Sequence, residues 1–397
     1  MSSPNCVFLL MIALTAATLF TPLERIERPL LLLDDGVIAE VASQASRELP
    51  KGSRVIDLAD GILAPGFIDI HNHGGGGHDV MEADPLALPI VERLLAAHGV
   101  TGYLPTTVTA PVDSTLAALA RLADAIEAGT PTDGANGLRA RPLGIHIEGP
   151  FLSHARRGVH PPENLLRPTV AMFERFWQAA RGHIRMMTIA PELEGAPDVI
   201  AAAASRGVTV SIGHSDADMK AARAAVVAGA RHATHTFNAM RPFAHRDPGI
   251  IGEVLTDSRL TADIIADGVH LDPAVVQLFL QAKGPERAVL ISDATAATGM
   301  PEGRYRLGDF EFEVKDGKCL VDGTLAGSVL TLDRAVRNAM EFAQWDLQLA
   351  LRPATLNPAR VVNLDGRGLL KAGAVADLAG LNASGEVIMT CVGGKGL

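Results

Sequence analysis

From Ile68 onward, short apolar runs alternate with longer Ala/Leu-rich stretches. The short runs are "FIDIHNH", "GYLPTT", "PLGIHIEG", "IRMMTIAP", "VTVSIGHS", "HATHTFNA", "TADIIADG" and "RAVLISDA". They are apolar, partly β-branched and closed by polar or glycine residues, which predicts buried strands. The longer stretches, such as "ALPIVERLLAAHG", "STLAALARLADAIEAG", "DMKAARAAVVAGA" and "PAVVQLFLQAKG", repeat apolar residues at helical spacing, and several stop at Gly. Eight strands in strict alternation with helices predict an α/β fold, a (β/α)8 TIM-type barrel. A doubly wound open sheet is the alternative, but it would not need eight such units.

The two ends of the chain read differently. "RPLLLLDDGVIAEV" and "SRVIDLADGIL" predict hairpin strands with Asp-Gly turns, and "GLLKAGAVADLAGLNASGEVIMTCVGGK" reads the same way. We expect residues 1–64 and 366–397 to pair into one small β-sandwich beside a barrel spanning 65–365. A short β-insertion is expected near 304–325, in "YRLGDFEFEVKDGKCLVDGT", with turns at Asp316-Gly317 and Asp322-Gly323. The apolar run "CVFLLMIALTAATLF", Cys6 to Phe20, resembles the core of a signal peptide, but no Lys or Arg precedes it. It is also short of the ~20 residues that span a bilayer. We therefore expect a strand starting at Met11, with residues 1–10 a non-native extension; a cleaved or anchoring segment is the alternative.

Composition narrows the function. Hydrophobic residues make up 48% and charged residues 20%, which is globular rather than disordered. Net charge is -10 and no dense Lys/Arg block occurs, so neither nucleic acid nor a membrane is an expected partner. The three cysteines, Cys6, Cys319 and Cys391, are too scattered for a disulfide framework, which fits a reducing compartment and a cytoplasmic location.

In a barrel of this kind, polar residues at the C-terminal ends of strands form the site. His71 and His73 close the first strand, His146 and Glu148 the third, His214 the fifth, His235 the sixth and Asp293 the eighth. His71 and His73 share one face of an extended strand, so two imidazoles could reach one ion. In a chain with 13 His a lone His-x-His is weak evidence, and two solvated loop histidines would look the same. Together, however, these strand ends supply what a hydrolytic metal site needs: several N/O ligands, an open position and a carboxylate to move protons.

The motifs "PGFIDIHNHGG", "HIEGPFL", "RRGVHPPENL", "IAPE", "SIGHSDA", "ATHTFNAM", "DPGIIG", "ADGVHLDP", "SDATAATG" and "GTLAGSVLTLDRAVRN" occur in that order. Together they resemble the N-acetylglucosamine-6-phosphate deacetylases of the amidohydrolase superfamily, over nearly the whole chain from Met11. The His-x-His belongs to the wider superfamily; the later motifs are specific to this group.

The resemblance implies metal-dependent hydrolysis of the acetamide of N-acetylglucosamine 6-phosphate to acetate and glucosamine 6-phosphate, in amino-sugar catabolism and cell-wall recycling. It implies that Glu148, His214 and His235 hold the main divalent metal. His71 and His73 would hold a second, and His146 would support the ligands from behind. Zinc is the first expectation, with iron, manganese and cobalt as alternatives for an N/O ligand set. Asp293 would be the acid/base and His160 would contact the acetyl carbonyl. Asn238, Ala239, Arg246 and His270 would bind the phosphate, and in relatives an arginine of this loop reaches the neighbouring subunit, which implies a homodimer. His78 and His183 have no assigned role and are expected to be structural. The competing readings are a deacetylase for the galactosamine epimer and a barrel without activity. Intact Glu148, His214, His235 and Asp293 argue against the latter.

Overall fold

The computed structural model describes residues 11–129 and 137–397. The expectations for residues 1–10 lie outside the described residues. Eight strands build the barrel: Phe67–Asn72, Val100–Thr107, Ile145–Glu148, Ile184–Ile189, Thr209–Ile212, His232–Ala233, Ala262–Ile265 and Ala288–Ile291. The first six pair in parallel in that order, and the last two pair in parallel with each other. Two sets of backbone bonds close the ring. Ala233 N–H donates to Thr261 O at 3.1 Å, joining strand six to seven. His73 N–H donates to Ala294 O at 2.8 Å, joining strand eight to one.

Helices alternate with these strands as predicted, from Ala87–Ala97 to Leu332–Ala343. Local chemistry starts and stops them. The Asp218 carboxylate accepts the Ala221 N–H at 2.8 Å at the start of Met219–Ala228, and Gly229 (φ 131°) ends it. Each helix turns its apolar stripe to the strands. On Val170–Ala179, Phe173 and Phe176 are buried, each contributing roughly 2–3 kcal/mol.

Two sequence expectations change. "HATHTFNA" forms a strand only over His232–Ala233, because His235, Phe237 and Ala239 take up left-handed backbone and the chain leaves the ladder. "SRVIDLADGIL" is not a hairpin. Arg54–Asp57 runs parallel to Ile12–Thr15, whereas Ile62–Pro65 joins a different sheet, parallel to Thr18–Phe20 and antiparallel to Leu378–Leu381. Ala59 (φ 50°) turns the chain between them. The other terminal hairpins form where expected, at Asp35-Gly36 and between Leu378–Leu381 and Val387–Cys391. Leu14, Leu19, Leu31, Leu33, Leu63 and Leu378, from the two terminal sheets, share one buried apolar cluster.

The insertion after strand eight folds into strands Gly303–Leu307, Phe310–Lys315, Lys318–Val321 and Thr324–Leu325. Asp316-Gly317 and Asp322-Gly323 all have positive φ, the backbone that tight hairpins require. Its apolar face, Leu307, Phe312, Val314 and Cys319, packs on Val108 and Ala297 of the barrel.

Candidate active site

Three of the polar residues at strand ends share one backbone device. His214, His235 and Asp293 each lie two residues beyond the last residue of their strand, and each has positive φ (46°, 30° and 49°). Such backbone costs on the order of 1–3 kcal/mol per residue and persists only where the surroundings impose it. Here it turns each side chain inward over the barrel mouth.

The groups converge. Glu148 Oε1 lies 3.0 Å from His235 Nε2 and 3.2 Å from His214 Nε2, and those two nitrogens are 3.0 Å apart. Glu148 Oε2 is 3.3 Å from His73 Nε2 and 3.5 Å from His160 Nε2. His71 Nε2 is 3.1 Å from His73 Nε2, and each lies within 3.5 Å of Asp293 Oδ1. All seven residues are buried. They sit at the base of a cavity of about 460 Å³, with His71 just behind the lining.

The outer nitrogen of each ring sorts these imidazoles. His73 Nδ1 lies 2.9 Å from Thr106 O, and His214 Nδ1 lies 3.0 Å from Arg156 O. A carbonyl only accepts, so both carry a proton on Nδ1 and turn Nε2 toward the carboxylates. His160 is the reverse. The backbone N–H of Thr109 donates to its Nδ1 at 3.3 Å, so neutral His160 carries its proton on Nε2, facing the cavity. His146 is used up. Its Nδ1 donates to Ile70 O at 3.1 Å, and Thr188 Oγ1 lies 2.8 Å from Nε2.

Burial opposes charge on Asp293, Glu148, His73, His214 and His235, yet the carboxylates stay ionised. Burial would raise Asp293, but the charge of His71 and the hydrogen bond from His73 hold it down to about 2. Glu148 is likewise held well below the usual range, chiefly by His71 and by bonds from His160, His214 and His235. Burial pushes His214 down to about 4, whereas Glu148 overcomes burial at His235 and raises it to about 9.

Two sets of three could each surround an ion, with ligand atoms within 4.8 Å: His71, His73 and Asp293, and Glu148, His160 and His214. In the second set, His235 fits better than His160, because it is closer to both Glu148 and His214. Ring nitrogens about 3 Å apart suit ligands on one ion at ~2.0–2.1 Å each.

The comparisons with known proteins agree with this geometry. The model described as "Amidohydrolase family" matches residues 62–397. The chain belongs to the amidohydrolase family. Among relatives of this amidohydrolase, the N-acetylglucosamine-6-phosphate deacetylase of Bacillus subtilis (strain 168) is 35% identical, over 91% of each chain. The N-acetylgalactosamine-6-phosphate deacetylase of Escherichia coli O157:H7 is 37% identical, over 92% of this chain and 93% of that one. A Mycobacterium smegmatis N-acetyl-D-glucosamine-6-phosphate deacetylase, solved as a mutant with N-acetyl-D-glucosamine-6-phosphate, superposes with TM-score 0.90. It is 36% identical, covering 97% of this chain and 99% of that one.

Of the other residues expected from sequence, this amidohydrolase brings Asn238, Ala239 and His270 to the cavity wall. His270 Nδ1 is held 2.7 Å from Asp267 Oδ2. Arg246 is exposed and does not line the cavity of its own chain. His78 and His183 lie away from the site, 2.9 Å from Glu82 and 3.0 Å from Glu127. Sequence reasoning missed two contributors. Arg156 lines the cavity with Asp216 on its Nε at 2.7 Å; as the basic residue four before His160 in "RRGVH", it was open to notice. Leu307, Thr324 and Leu325 bring the insertion into the wall, which no pattern in the insertion announces. Among the described residues, no helix is long and apolar enough to cross a membrane.

Proposed function

We propose that this amidohydrolase removes the acetyl group of N-acetylglucosamine 6-phosphate, giving acetate and glucosamine 6-phosphate. The observation that carries the reading is the split among the imidazoles. His73 and His214 spend Nδ1 on backbone carbonyls and leave Nε2 for a cation, while His160 accepts at Nδ1 and turns its Nε2–H into the same cavity. A metal amidase needs both kinds of group, ligands and an oxyanion donor.

In this reading Glu148, His214 and His235 hold the main divalent ion, zinc by preference, and His71 and His73 hold a second. A cation there supplies Lewis acidity, lowering the pKa of water and polarising the carbonyl. Asp293, ionised and at the cavity base, accepts the proton of the attacking water as its oxygen bonds to the acetyl carbon. His160 Nε2–H donates to the oxygen that becomes negative. Asp293 then gives the proton to the sugar nitrogen as the C–N bond breaks, so that an amine leaves rather than an amide anion.

Backbone donors at Asn238 and Ala239, with His270, bind the phosphate in this scheme. Arg246 lies outside its own chain's cavity, which supports a homodimer in which each Arg246 serves the neighbouring subunit. The two terminal sheets, from the described parts of residues 1–64 and 366–397, form the small β-sandwich that flanks the 65–365 barrel, and the enzyme works in the cytoplasm. The Escherichia coli relative favours a second reading, the galactosamine epimer.

The test is acetate release from a panel of 6-phosphorylated and unphosphorylated N-acetyl hexosamines, on protein whose metal content is measured. N-acetylglucosamine 6-phosphate should be turned over fastest. Faster release from the galacto epimer would reassign the substrate, and release from none would sink the proposal.

A further inference from the structure

The imidazoles around Glu148 are not all anchored in the same way. His73 and His214 are fixed through Nδ1, by Thr106 O and Arg156 O. His235 Nδ1 is buried and has no hydrogen-bond partner among the described residues. Yet His235 has the smallest positive φ of the three strand-end residues, 30°, and its strand is only two residues long. With the ring engaged only at Nε2, its strained peptide needs an anchor of its own.

That anchor is Asp263 on strand seven, with no exposed surface. Its Oδ1 accepts the backbone N–H of His235 in a short hydrogen bond. Its own carbonyl accepts the N–H of Thr236 at 2.9 Å. Its Oδ2 lies 2.8 Å from Nε2 of His232, which is equally buried and whose other nitrogen lies 2.7 Å from Thr261 Oγ1. One residue thus grips positions 232, 235 and 236 where the regular ladder has stopped. A parallel ladder would give the His235 N–H a carbonyl; the left-handed turn aims it at a side chain instead, and a carboxylate is the strongest acceptor available.

We infer that Asp263 is a positioning residue for His235, and that His232 holds the Asp263 carboxylate in place. Clamping the His235 peptide at its strained φ aims Nε2 at Glu148 and His214. Without the clamp, the peptide relaxes toward ordinary backbone and the ring swings off the shared point. This inference rests on the reading of His235 as a metal ligand.

The experiment uses zinc-loaded, full-length protein and follows zinc release to the chromogenic chelator 4-(2-pyridylazo)resorcinol, alongside kcat and KM. Asp263→Asn should release zinc within ~3-fold of the wild-type rate. Its Oδ1 still accepts from His235, and its amide can donate to His232 once that ring carries its proton on Nδ1, facing Thr261 Oγ1. Asp263→Ala should release zinc ~10–100-fold faster and lower kcat with little change in KM, the size of effect seen when groups supporting a metal ligand are lost. His232→Ala should fall between the two, and it decides the matter if Asp263→Ala does not fold. Wild-type release rates in Asp263→Ala or His232→Ala, or an Asn variant as damaged as the Ala variant, would overturn the inference. Wild-type protein that takes up no zinc would overturn the metal reading itself, and this inference with it.

Discussion

The backbone N–H of Asp293 donates to the carbonyl of His71 at 3.0 Å. With the bonds from His73 and Gly74 to Ala294 O, it ties the last strand to the first and links the proposed proton carrier directly to the histidine strand. Ser292, the residue before, repeats the link: its Oγ donates to Asp69 Oδ2 at 2.5 Å. The first and last strands meet where the chemistry happens, so the position of Asp293 depends on the integrity of the whole ring.

Asp293→Asn keeps the shape and removes the proton acceptor. We expect turnover to fall by at least ~100-fold, with the fold and bound metal largely intact. Rate measurements on a metal-loaded variant decide it; near-normal turnover would remove Asp293 from the mechanism.

The two ion positions are not equivalent in consequence. Glu148→Ala or His235→Ala should abolish main-site metal and nearly all activity, since each supplies one of about three protein ligands. His71→Ala should lower the occupancy of the second position and slow the reaction without stopping it. Elemental analysis paired with kcat/KM checks this. Metal-free, inactive His71→Ala beside intact Glu148→Ala would reverse the assignment.

His160 separates donor from ligand. His160→Ala should cut kcat by roughly 10²–10³-fold, the scale of a lost oxyanion donor, while metal content stays at the wild-type value. Loss of a full equivalent of metal in this variant would show that His160 is a ligand after all.

Away from the site, Asp333 at the start of the last barrel helix contacts His98 Nδ1 at 3.1 Å and Arg337 Nη1 at 2.9 Å. Burial pushes its carboxyl up, but the bonds from His98, Thr331 and Arg337 outweigh this and hold it well below the usual range. A depressed carboxylate stabilises the fold above its unfolded pKa of about 3.9, and that contribution is lost as pH falls toward the folded value. Asp333→Asn should therefore cost about 2 kcal/mol at pH 7, and the gap to wild type should narrow below about pH 4. Urea unfolding from pH 7 to 3 measures it; a gap that stays constant with pH would contradict the assignment.

The barrel was legible because each strand is an apolar run cut off by a polar residue, and those polar residues are the site. Glu148, His214, His235 and Asp293 all announce themselves as breaks in such runs. Asp263 does not. It sits inside "TADIIADG", where a lone acid in a strand looks like an ordinary strand-start residue, and its partners at 232 and 235 become neighbours only when strands six and seven adjoin. The misread hairpin at 54–65 has the same origin. Alternating apolar residues flanking Asp60-Gly61 promise two strands and a turn, but pattern alone does not say that the strands belong to different sheets. Arg246 marks the boundary of a single chain: its motif points to phosphate, while its own fold keeps it away from the cavity.

The insertion has an evolutionary consequence. The base of the cavity is welded into the barrel by backbone bonds, whereas Leu307, Thr324 and Leu325 reach it from hairpins that rest on an apolar cushion. Selection can therefore rewrite the shape of the accepted sugar on the hairpins while inheriting the hydrolytic machinery unchanged.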